Sequence, residues 1–317
     1  MKRKEILQKL GYIVPEIKQK RVIVHADIAA EADDQYAIVH HLLTPSEQVV
    51  GIIAANFEWR YRTIPKLGAQ RFTSMEKSFE EGEKILKLME MEDVPLVKGA
   101  VHEIIDLENL PSSPGADFII NEAMKDDDTP LFVALQGGLT DLAIAYLKNP
   151  KIAERLTAVW IGGGKYPNGG RESNMQQDVL AAQIVFFSEI PLWQIPINVY
   201  SGVHITFAEL MLKVKPHGEL GKYLVDEMFS VNDWYGKIPR RLPFPHGEIW
   251  GIGDQPTVSV LLQNSGYECW HIEKVTLNDD MTYTPNPEGK EIRVYDCIDR
   301  RMTLEDFFAK LQLCYGK

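Results

Sequence analysis

The chain has 317 residues, of which 45% are hydrophobic and 25% charged, and its formal net charge is −11. That composition suits one large α/β core or two modest domains. The acidity disfavours nucleic acid as a partner, and no apolar run approaches the ~18 residues of a membrane span.

The opening Lys2, Arg3 and Lys4 leads into mixed polar residues rather than a secretory apolar stretch. An apolar run at 22–24 then predicts a buried parallel strand, followed by a polar loop and a helical pattern from Tyr36. A second strand is predicted over 49–55, a helix over 75–91 and a short strand over 94–97. A helix over 116–125, a strand over 131–135 and a helix over 140–147 come next. Strands over 156–161 and 192–197 flank a helix over 178–187. This alternation predicts a mostly parallel, Rossmann-like open sheet with helices on both faces. From about residue 203 helices dominate to about 263, and strands return over 268–275 and 291–296. No Ser-, Gly- or Pro-rich linker and no internal repeat divides the chain. A single domain is expected, with an α/β core over about 20–200 and a helical cap plus C-terminal strands over about 201–317. Cys269, Cys297 and Cys314 lack metal-type spacing, which fits a reducing cytoplasm and buried or unreactive thiols.

The loop after the first strand carries Asp27, Glu31, Asp33 and Asp34, four carboxylates within eight residues. Acids at the C-terminal end of a parallel strand lie where open α/β sheets bind ligands. Held this close they repel one another unless a positive charge sits between them, and oxygen ligands on a flexible loop suit Ca²⁺. Capping of the next helix would account for Asp33 or Asp34, but not for all four. Other strand ends are also polar: Asn56 with Glu58 and Trp59, Gln136 to Asp141, and the glycine run 162–164 leading to Glu172 and Asn174. In a parallel sheet these ends share one edge. The glycine run matches neither nucleotide-binding signature, so it is read as tight turns near a small ligand. Asp254 precedes Pro256 and an apolar helix; it is either an N-cap or a further metal ligand.

Together these segments resemble the inosine–uridine nucleoside hydrolase family. The family's D-x-D-P-G-x-D-D is similar to HADIAAEADD, His25 to Asp34; its G-P-L-T-N to GGLTD, Gly137 to Asp141; its E-F-N-x-x-x-D-P-x-A-A to ESNMQQDVLAA, Glu172 to Ala182; and its terminal H-D-P to Gly253, Asp254, Gln255 and Pro256. The chain departs from the pattern at three points. His25 replaces the first Asp, two extra residues separate Asp27 from Asp33, and Gly253 stands where the family has its leaving-group histidine. These departures mark a divergent, nucleoside-hydrolase-like branch.

The resemblance implies Ca²⁺ held by Asp27, Asp34, Asp254 and a backbone carbonyl near Gln136, with the ion engaging ribose hydroxyls and a water. Asp33 would be the general base. Glu172 and Asn174 would hold the ribose, with Asn56 assigned less directly to the same role. The implied reaction is hydrolysis of a ribonucleoside, or a modified one, to ribose and free base. His246 is the candidate leaving-group acid. Trp250, with Trp234 and Tyr235, could stack on a base or pack in the core. His40 and His41 read as structural, and His204 as a minor candidate. A small-molecule nucleoside or sugar is the expected partner, with neither nucleic acid nor membrane, and the chain is expected to be a homo-oligomer, dimer or tetramer. Two other readings stay open: a non-hydrolytic ribose- or sugar-binding protein, which Gly253 favours, and a hydrolase of another furanoside or glycoside.

Overall fold

The computed structural model describes residues 3–63, 71–237, 247–263 and 269–316. Among the described residues twelve strands follow in chain order: β1 Lys20–Ala26, β2 Glu47–Ala54, β3 Leu96–Lys98, β4 Leu131–Leu135, β5 Leu156–Ile161, β6 Leu192–Ile195, β7 His204–Thr206, β8 Ile249–Gly251, β9 Trp270–Glu273, β10 Val275–Leu277, β11 Tyr283–Pro285 and β12 Ile292–Tyr295. Eight of them form one sheet in the order β3-β2-β1-β4-β5-β6-β12-β9. Every pairing in it is parallel except β12 with the edge strand β9. The expected α/β architecture is therefore the observed one.

All seven residues of β1 are buried, as a strand covered on both faces requires. Alternation along the strand sends Val22, Val24 and Ala26 into one apolar cluster and Ile23 into another on the opposite face. The first cluster takes in the helices Asp34–Leu42, Gly218–Gly236 and Arg300–Tyr315. The second takes in Pro114–Ala123, Thr140–Lys148 and Val179–Phe187. Strand order reverses between β1 and β4, and the crevice beyond their C-terminal ends is where such sheets bind ligands. Asp27 follows β1 and Gln136 follows β4, so both lie at that point.

The C-terminal region corrects the simple picture of a cap with trailing strands. β12 joins the main sheet beside β6, and β9 closes its edge. The stretch expected as one strand over 268–275 divides at Lys274, and β10 pairs with β11 in a separate hairpin. Short strands β7 and β8 pair within a region expected to be helical. Three residues carry no readable periodicity, so only the tertiary pairing identifies them. All three cysteines are free thiols; Cys314 is buried, and Cys269 and Cys297 are exposed. No helix among the described residues is long and apolar enough to cross a membrane.

Candidate active site

The chain leaves β1 through a turn in which the Ala30 amide donates to the Asp27 carbonyl at 2.7 Å. Gln35, one residue into the next helix, donates from its side-chain amide to the Ile28 carbonyl at 2.8 Å. These bonds fix the acid loop. Asp33 occupies the N-cap position of that helix but makes no side-chain capping bond. Its carboxylate instead accepts from the Gly253 amide at 3.0 Å. The capping account of this loop therefore does not describe where Asp33 points.

One carboxylate oxygen from each of Asp33, Asp34 and Asp254 lies within 4.8 Å of the other two, and all three residues are buried. The triplet thus places Asp33, expected as the base, beside two residues expected as ligands. Asp27 flanks it: its carboxylate accepts from the Gln177 side-chain amide, and its charge is the largest electrostatic contribution raising Asp34. Burial first, then mutual repulsion, holds Asp34 and Asp254 well above the ordinary carboxylate range. Burial pushes Asp27 up to about 6 and Asp33 up to about 7, with Glu31 raising both further and Arg60 opposing. Four buried acids in one place are unfavourable without a compensating positive charge.

The donor set fits a hard cation. Among the described residues, the buried oxygens Asp34 Oδ1, Gln136 Oε1 and Gln177 Oε1 have no hydrogen-bond partner. Buried polar atoms are nearly always satisfied, so an orphaned oxygen on Asp34, with others on residues tied to Asp27 and to the Asp254 segment, suits a positive ligand. Gln136 is oriented by its amide donating to Thr257 Oγ1 at 3.0 Å. That hydroxyl donates to the Asp254 carbonyl at 2.8 Å and bonds His41 Nε2 at 3.0 Å, while His41 Nδ1 bonds Glu47 at 2.5 Å. His41 therefore braces the site from behind, and His40 sits between Gln255 and Asp306. At Gly137 a Cβ would come within 2.9 Å of Asp27, so glycine is required for the segment after β4 to approach that carboxylate.

His25 is tied to Asp141 rather than to the acid loop. Its ring bonds Asp141 at 2.8 Å, and Asp141 also accepts from the Ala100 amide at 2.7 Å and from the Ser113 hydroxyl. The change at the first family position is thus matched by Asp141 at the start of the helix after β4, and the pair is a buried structural tie.

The remaining residues divide by what they touch. Glu172 caps the short helix Ser173–Gln177: it accepts from the amides of Gly163 at 2.8 Å, Asn174 at 3.0 Å and Met175 at 2.9 Å, and from the Tyr200 hydroxyl at 2.6 Å. Its carboxylate is a fastening point, and of its four donors only the Tyr200 hydroxyl belongs to a side chain. Asn174 is buried and donates to the Ile161 carbonyl at 3.0 Å. Asn56 is buried just beyond β2. Trp250 is only 3% exposed and packs against Tyr235 with ring centres 5.6 Å apart, as the core-packing alternative has it. His246 lies outside the described residues. His204 is exposed at the start of β7.

Sequence reasoning missed Arg60. It pairs with Glu31 at 2.5 Å, bonds the Tyr235 hydroxyl at 3.2 Å and donates to Ser173 at 2.9 Å. One guanidinium thus joins the acid loop, the helix Glu58–Thr63, the helix Gly218–Gly236 and the segment after Glu172. Glu31 gave a partial signal, since a half-buried acid among other acids gains from a nearby cation.

An open α/β sheet with a buried carboxylate triplet at its switch point is an arrangement that could hold a metal ion. The profile of the inosine-uridine preferring nucleoside hydrolase family matches residues 69–303, and the chain belongs to that family. A purine-preferring ribonucleoside hydrolase from Gardnerella vaginalis superposes with a TM-score of 0.72 at 19% identity, covering 94% of this chain and 99% of that one. Two proteins of Oryza sativa subsp. japonica are similar in sequence: a probable uridine nucleosidase 2, 24% identical over 40% of this chain, and a probable uridine nucleosidase 1, 27% identical over 45%. Those matches span 39% and 48% of the two relatives, less than half of each.

Proposed function

We propose that this chain is an N-ribohydrolase that cleaves the N-glycosidic bond of a ribonucleoside or modified nucleoside, with Ca²⁺ as its cofactor. The observation that carries the reading is the buried triplet Asp33, Asp34 and Asp254, set among orphaned oxygens at the switch point of a nucleoside hydrolase fold. Asp27, Asp34, Asp254 and Gln136 would hold the ion, which when bound supplies Lewis acidity toward water and the sugar hydroxyls.

Asp33 is the proton acceptor. One of its oxygens is fixed by the Gly253 amide, which leaves the other to take a proton from the attacking water. Glu172, Asn174 and Asn56 contribute a carboxylate and two amides to the sugar site. The surrounding carboxylates stabilise positive charge on the ribosyl ring as the bond to the base breaks. The transferred water oxygen ends on C1′ and the departing base takes a proton. Gly253 carries no side chain to donate it, so good leaving groups are expected to react fastest.

The test is ribose release from inosine, uridine and p-nitrophenyl riboside, with Ca²⁺ and with a chelator. Calcium-dependent release, fastest from the activated riboside, supports the reading. Binding of ribose without turnover of any of the three would support a sugar-binding protein instead. Assembly as a dimer or tetramer belongs to the same reading and is measured by light scattering.

A further inference from the structure

Gly253 has no side chain, yet no void is left over it. A Cβ built on Gly253 would lie 2.9 Å from Cδ2 of Tyr200. Tyr200 ends a one-turn helix, Ile197–Tyr200, that follows directly from β6 and Pro196. Its carbonyl accepts from the Val203 amide at 3.0 Å, and the Val203 carbonyl accepts from the Ile252 amide at 2.9 Å, so the backbone holds these two segments together. The ring is pinned at its other end as well. Its hydroxyl donates to Glu172 at 2.6 Å, and Glu172 is itself held by three backbone amides. The ring therefore cannot swing aside without losing a charge-assisted hydrogen bond.

We propose that Tyr200 forms the wall of the substrate site on the Gly253 side and positions Glu172, and that residue 253 is glycine because the Tyr200 ring fills the space a side chain there would need. Tyr200 thus spans from the Asp33–Gly253–Asp254 corner to the sugar-side carboxylate. It is a positioning residue, and its ring limits the room for a leaving group on that side. The substrate half of the proposal rests on the nucleoside hydrolase reading; the size coupling between residues 200 and 253 does not.

Two measurements separate those halves. The first is a double-mutant cycle in melting temperature, with no substrate present. Gly253→Ala is expected to lower the melting point of the wild type and of Tyr200→Phe, by about 2–4 °C or more. In the Tyr200→Ala background it is expected to have little effect, because the ring is gone. Equal losses in all three backgrounds would overturn the coupling. The second is steady-state kinetics of Tyr200→Phe, which keeps the ring and removes the bond to Glu172. KM for the best nucleoside is expected to rise about tenfold with kcat changed much less, and Tyr200→Ala should be worse than Tyr200→Phe. Unchanged KM in Tyr200→Phe would overturn the positioning role. If the wild type turns over no nucleoside, the nucleoside hydrolase reading and the positioning role built on it fall together, while the melting cycle still decides the coupling.

Discussion

The Gly253 amide donates to the Asp33 carboxylate at 3.0 Å, across 220 residues of chain. This bond joins the loop after the first strand to the segment that delivers Asp254. It leaves the Asp33 carboxylate oriented by a backbone group that mutation of side chains cannot remove, which is why Asp33 is the residue to test first.

Asp33→Asn keeps the shape of the side chain and loses its basicity. Turnover is expected to fall by about 10²-fold or more, since a general base acts in the transition state. Ribose inhibition should change little. Steady-state rates with product inhibition check this, and a wild-type rate in the variant would remove Asp33 from the role of base.

Asp34→Asn removes charge from the centre of the triplet. Calcium affinity, read by isothermal titration calorimetry, is expected to fall by about tenfold or more, as the ion loses a charged oxygen ligand. Unchanged affinity would mean that the ion sits elsewhere.

Stability should depend on pH in a direction set by the raised carboxylates. Asp27 at about 6 and Asp33 at about 7 bind protons more tightly in the folded chain than in the unfolded one. The stability this contributes is fully present at acid pH, below the unfolded values. It is lost as pH rises through about 6 and 7. With chelator, the melting temperature contribution from this site should therefore decline between pH 5 and pH 8. Calcium should restore it most at the alkaline end, where it no longer competes with protons. Scanning fluorimetry at several pH values, with calcium and with chelator, checks both signs. Calcium stabilisation that is largest at pH 5 would contradict the assignment.

Arg60→Ala leaves Glu31 without its ion-pair partner and opens the junction of four segments. Removing one partner of a buried pair costs about 3–5 kcal/mol; the partial exposure of Glu31 places this one toward the lower end. Replacing both, as Glu31→Gln with Arg60→Ala, should cost less than the two single losses added together. Urea denaturation of the four proteins measures the difference.

Much of this was legible in the chain. A buried apolar run ending in Asp27, Glu31, Asp33 and Asp34 is local information, because strand burial and helix resumption are both written in periodicity. The polar ends at Asn56, Gln136 and Glu172 were visible for the same reason, and a parallel sheet dictates that they share an edge. Contacts between distant segments carry no local period. That Asp254 comes to Asp33 and Asp34 was decided by where the helix Pro256–Gln263 packs, against β4 and β5. That Trp250 is core, that Arg60 clasps Glu31, and that the Tyr200 ring lies over Gly253 were likewise decided only when the segments met. The sequence by itself determined which residues could bear charge at the sheet edge, since strand and helix patterns are local. The tertiary structure decided which charges face one another, since that depends on close packing between elements more than two hundred residues apart.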